Sequence, residues 1–89
     1  MIKYRVVKKR PRAKWKLMSS IWDFLKTLKF KYPIVGQVLI EIMNILYKWL
    51  TVREITDYEK AKLRVFAELL VDEDRKRFYE YLEKIGLKI

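Results

Sequence analysis

Between Ile34 and Leu50 the polar residues Gln37, Glu41, Asn44 and Lys48 recur at steps of four, three and four, and every other residue is apolar. On a helix those steps hold the polar groups to one narrow stripe and leave most of the circumference needing cover. A segment of this kind cannot lie on a surface alone, so the rest of an 89-residue chain has to wrap it, or a second subunit has to share it. It does not read as a membrane span. It falls short of the roughly 20 apolar residues a span needs, and its polar stripe would sit in lipid.

The flanking sequence supplies wrapping elements of the same period. Ile21, Phe24, Leu25, Leu28 and Tyr32 fall on one helical face, predicting a helix over residues 21 to 31 that ends at Tyr32-Pro33, with Pro33 opening the next helix. Its start has two readings: Pro11 as an early first-turn residue of a longer helix, or Ser20 with Asp23 capping a shorter one. Trp22, Lys26 and Lys29 form a second face, which Trp15 and Met18 would extend. Thr56 with Glu59 three residues on reads as a capping box for a third helix, whose inward face is taken as Tyr58, Ala61, Val65, Phe66, Leu69 and Leu70. Asp72, Glu73 and Asp74 complement the positive end of a fourth helix. Phe78, Tyr81, Leu82 and Ile85 face inward there, and Gly86 stops it. The expected fold is all-α: a compact bundle of about four helices with short connections, carrying a basic extended N-terminal arm. The expected division is residues 1 to 16 as the arm and 17 to 89 as the helical domain.

Charge is segregated along the chain. Residues 1 to 33 hold eleven Lys/Arg against the single acid Asp23, whereas residues 34 to 89 hold ten of each sign, so the whole net charge of +10 lies in the first third. Within the arm, Ile2, Tyr4 and Val6 alternate with Lys3 and Arg5 at the period of an extended segment, and the run from Lys8 to Arg12 contains Pro11. Such an arm has no strand to pair with and is expected to become ordered on a ligand, a partner chain or a second copy.

Several chemistries lack their residues. Without cysteine or histidine there is no disulfide, no thiolate or imidazole metal ligand and no histidine base. With two glycines, Gly36 and Gly86, no glycine-rich phosphate loop can be written. Ser19 and Ser20 have only Lys16 nearby as an activating base, and serine's preference for helix caps accounts for them better. The trio at residues 72 to 74 is the one carboxylate cluster suited to a hard cation, but neighbouring side chains on one turn rarely converge on one ion. Glu41 stands in the apolar helix, where its stripe gives it a way to the surface or to a neighbouring helix. No enzymatic activity, metal or cofactor is expected.

What remains is the cationic segment with interleaved aromatics. Lys3, Arg5, Lys8, Lys9, Arg10, Arg12, Lys14, Trp15, Lys16, Lys26 and Lys29 make up a candidate nucleic-acid interface. Cations neutralise phosphates and release counterions, arginines reach grooves, and aromatic rings stack on unpaired bases. Eight cations without an acid in 16 residues repel one another, whereas a solvated surface ordinarily mixes signs. Trp15 and Trp22 read first as core residues because of the apolar area each carries. The expected function is a non-enzymatic structural or accessory protein of low sequence specificity on DNA or RNA. It would be intracellular and part of a nucleoprotein particle, with self-association through the apolar helix 34 to 50. Two other readings use the same cations: a peripheral protein on anionic membranes, and an interaction module whose arm binds an acidic partner. The helix pair after Thr56 has helix-turn-helix spacing, but the acids at the start of its second helix would repel phosphate.

Overall fold

The computed structural model describes the backbone of residues 9 to 89 and the side chains of residues 16 to 89. Four helices follow in order: α1 (Lys9–Leu25), α2 (Gly36–Val52), α3 (Asp57–Glu68) and α4 (Asp72–Lys84). Each packs on the next in sequence. The described residues form no strand beyond one isolated antiparallel bridge between Phe30 and Leu70, so the all-α bundle expected from periodicity is the fold.

The start of α1 follows the longer of the two readings. Helix runs unbroken from Lys9 through the expected boundary at residue 16, with Pro11 in the first turn, where a missing N–H costs nothing. Ser19 and Ser20 are therefore exposed mid-helix residues, and Ser20 is not a cap. The end of α1 corrects the sequence reading: it stops at Leu25 and not at Tyr32. Thr27 Oγ1 donates to the Phe24 carbonyl at 2.8 Å, and the Thr27 and Leu28 amides bond three residues back, which tightens the last turn. The Lys29 amide, which a continuing helix would direct to Leu25, donates instead to Asp74 Oδ2 at 2.7 Å. The Lys31 amide donates to the Leu69 carbonyl and that of Val71 to the Lys29 carbonyl, so the connector is held by backbone pairing to the α3–α4 loop. Leu28 is still buried, but outside the helix, and Tyr32 is exposed.

α2 begins three residues after Pro33, with Val35 as its cap, so Pro33 does not open it. Ile42, Ile45 and Leu46 are its buried residues. Its polar stripe is partly spent on α3: Lys48 Nζ lies 2.8 Å from Glu59, and Glu41 lies 2.7 Å from Lys62 Nζ. α2 is less enclosed than its sequence suggests, since Ile40 is 45% exposed.

The capping box forms as read: Glu59 N donates to Thr56 Oγ1 at 3.1 Å and Thr56 N donates to Glu59 Oε1 at 3.0 Å. The inward face of α3 forms only in part, with Phe66 and Leu70 buried as read and Tyr58 and Val65 outside it. Leu63, Phe66, Ala67 and Leu70 are fully buried, while Tyr58 and Val65 are 69% and 62% exposed. At the other end of the bundle, α4 closes in the six-to-one and five-to-two bonds of a Schellman turn, from Leu87 N to Leu82 O and from Gly86 N to Glu83 O. Gly86 takes φ of 77° there, and Leu87 and Leu82 both join the core. Phe66 sits at the centre of that core, edge-on to Phe30 and Phe78 with ring centroids 5.5 and 5.2 Å away.

Candidate nucleic-acid interface

α1 carries the candidate cations in a fixed register. Lys9, Arg10, Arg12, Lys14, Trp15 and Lys16 occupy its first two turns, with Lys9, Arg12 and Lys16 at i, i+3 and i+7 along one line of the helix. Lys3, Arg5 and Lys8 lie outside the described residues, as do the side chains of residues 9 to 15, and with them the core reading of Trp15. Lys16 is exposed, with no carboxylate partner among the described residues. Lys26 is exposed and 3.5 Å from Asp23, an ion pair so open to solvent that it leaves the ammonium available to a stronger anion.

The early end of α1 separates residues expected on one face. Lys26 keeps a helical bond from its amide to the Trp22 carbonyl, but Lys29 sits in the connector, its amide held by Asp74 and its side chain exposed. Lys31, not singled out in sequence, lies 3.8 Å from Asp72. Trp22 is half-buried and does not belong to the core cluster, which corrects its core reading. It lines an open groove of about 420 Å³ with Met18, Ser19, Ile40 and Met43, between α1 and α2. Met18 and Trp22 are one turn apart, as the expected aromatic row requires; Ile40 and Met43 could have been found as an i, i+3 pair on α2.

Asp72, Glu73 and Asp74 occupy the first turn of α4, where the sequence reading put them, and Asp74 has a further task. The cap of α4 is Val71, which offers no side-chain bond. Asp74 is buried, accepting the Lys29 amide on one oxygen and Arg77 Nη1 on the other at 3.0 Å. The Lys29 N–H and then Arg77 hold its carboxyl below its ordinary pKa, because both favour the charged form. Arg77 also donates to Thr27 Oγ1 and lies over the Phe24 ring, which stacks on Tyr81 with ring centroids 4.3 Å apart. This cluster locks the end of α1 to α4. Asp72 points to different partners, Lys31 and Arg75, so the trio diverges. Nothing but the distance in sequence between residues 29 and 74 hid the clamp.

On the far side of α2, Glu59 combines its cap with the Lys48 pair. The Lys48 ammonium and then the Thr56 amide lower its pKa. Lys62 is raised, chiefly by its hydrogen bond to Glu41. Local charge balance thus prevails where α2 meets α3, in contrast to α1.

Neither a protein-family model, nor a curated protein sequence, nor a solved structure matches this chain. No helix among the described residues is long and apolar enough to cross a membrane.

Proposed function

We propose that the protein is a non-enzymatic polyanion-binding protein that engages nucleic acid, DNA or RNA, through the cations of residues 3 to 16 together with Lys26 and Lys29. The observation that carries this reading is the contrast between two regions of one small chain. Residues 34 to 89 balance ten basic against ten acidic groups, and several of these pair directly, as in Lys48–Glu59, Lys62–Glu41 and Arg77–Asp74. Residues 1 to 16 have eight cations and no acid. Much of that charge rides on a helix whose C-terminal half, through Ile21 and Leu25, is rooted in the core. A helix so charged suits a phosphate backbone and gives little sequence discrimination. Such a protein would act in a nucleoprotein particle inside the cell, with self-association as a means of lining a polymer.

The test is a titration of labelled duplex DNA, single-stranded DNA and RNA over a salt series. It compares the full chain with a variant whose eight cations between Lys3 and Lys16 are glutamine, a residue that keeps helix propensity. Contact with about five to eight phosphates gives a slope of log affinity on log salt of roughly −4 to −7 on duplex, at about −0.9 per phosphate. The variant is expected to flatten that slope while keeping the helical circular dichroism. A full chain that binds none of the polymers at low salt, or a variant with unchanged slope, rejects the proposal.

A second reading has one observation in its favour: the apolar groove of Met18, Trp22, Ile40 and Met43 lies on the helix that carries Lys16. Tryptophan and methionine beside lysine suit the boundary of an anionic membrane. Flotation with phosphatidylserine vesicles, in the absence of nucleic acid, separates the two readings.

A further inference from the structure

The helix α3 has more apolar surface than the bundle uses. Leu63, Phe66, Ala67 and Leu70 fill the core. Roughly 140° around the helix, at about 100° per residue, Tyr58, Ala61, Val65 and Leu69 form a second apolar line at steps of three, four and four. Tyr58 and Val65 are largely exposed. Beside this line runs an open groove of about 350 Å³, floored by Val38 and Ile42 of α2 and by Phe66. A second seam of this spacing on an already packed helix is the pattern by which one helix receives another.

We infer that this seam is the contact between two copies of the chain, α3 lying antiparallel on α3 about a two-fold axis. Charge selects the occupant. Contact through residues 1 to 33 would bring together two segments that each carry the whole net charge of +10, whereas residues 34 to 89 are neutral and add no net repulsion. Along the open flank of the seam, Arg64 and Glu68 stand one turn apart with opposite signs and both exposed. Turning a second copy end for end about a point level with Phe66, so that the C-terminal halves of the two α3 helices overlap, sets Arg64 of each copy beside Glu68 of the other, the self-complementarity that a two-fold contact requires. Their contacts within the protomer are long and replaceable: Arg64 Nη1 is 3.4 Å from the Ile89 carbonyl oxygen, and Glu68 is 3.4 Å from Arg75. The inference moves self-association from α2, whose Ile42, Ile45 and Leu46 are consumed by the core, to α3. It does not rest on the polyanion reading.

The test is sedimentation equilibrium of the full chain across a wide concentration series at moderate salt. Wild type is expected to approach twice the monomer mass. Val65→Glu, at a site exposed in the single copy, should raise the dissociation constant roughly a hundredfold while leaving circular dichroism unchanged, because the seam would bury an unpaired carboxylate. Arg64→Glu and Glu68→Arg should each weaken association by about tenfold, and the double exchange should restore it to within about threefold. A chain that stays monomeric throughout, whether or not the seam takes a different protein, overturns the inference. So does a dimer indifferent to Val65→Glu, and a double exchange that fails to restore association overturns the antiparallel pairing.

Discussion

Two adjacent residues, Val65 and Phe66, offer the sharpest measure of how α3 is set in the bundle. Helical periodicity places both on the inward face, but Phe66 is 1% exposed and Val65 62% exposed. Phe66→Ala removes a side chain that touches two other rings edge-on and leaves a cavity that the surrounding helices can only partly close. The expected cost is about 3–5 kcal/mol, of which the two ring contacts contribute roughly 0.5–1.5 kcal/mol each. For a domain whose total stability is on the order of 5–10 kcal/mol, that is roughly a third or more of the folding free energy. Val65→Ala, by contrast, removes two methyl groups already in solvent and should stay within about 0.5 kcal/mol. Urea denaturation followed by circular dichroism is the assay, at protein concentrations too low for self-association. With a slope of about 1–2 kcal/mol/M the Phe66 variant should unfold roughly 1.5 M or more below wild type, and the Val65 variant should overlay the wild-type curve. Equal costs at the two positions, or a larger cost at Val65, would refute the orientation of α3.

Two further outcomes follow from the clamp and the C-terminal turn. Asp74 has a depressed pKa in the fold, so its contribution is complete above the ordinary aspartate value and is lost as pH falls through the lower folded value. Asp74→Asn should therefore flatten that part of the acid limb in a plot of thermal midpoint against pH, and an unaltered limb would show that the Lys29 and Arg77 contacts do not hold in solution. Gly86→Ala tests backbone strain alone, since an added Cβ would meet nothing closer than Arg53 Nη1 at 3.9 Å while φ stays at 77°. A loss of about 1–2 kcal/mol by chemical denaturation is expected, and a neutral result would argue against the left-handed turn.

Local signals in the sequence carried much of the fold. The capping box of Thr56 and Glu59, the glycine stop at Gly86 and the four-helix count all depend on interactions within a few residues, where spacing and side-chain chemistry are enough. The concentration of positive charge ahead of residue 34 is equally a property of the sequence. Of the candidate interface, the sequence named the cations and the Met18–Trp22 row, while the i, i+3 pair Ile40 and Met43 was matched to that row only by the packing of α1 on α2.

Tertiary contact decided the rest. α1 could have run on to Lys31 by its own periodicity, but Asp74, 45 residues away from Lys29, takes that amide out of the helical ladder, and backbone pairing with Leu69 and Val71 holds the connector. Likewise α3 is apolar on more than one side, so period alone offers two inward faces. The one chosen is the one that lets Phe66 reach both Phe30 and Phe78, because a close-packed core rewards the face whose side chains interlock and leaves the other, with Tyr58 and Val65, to solvent or to another chain.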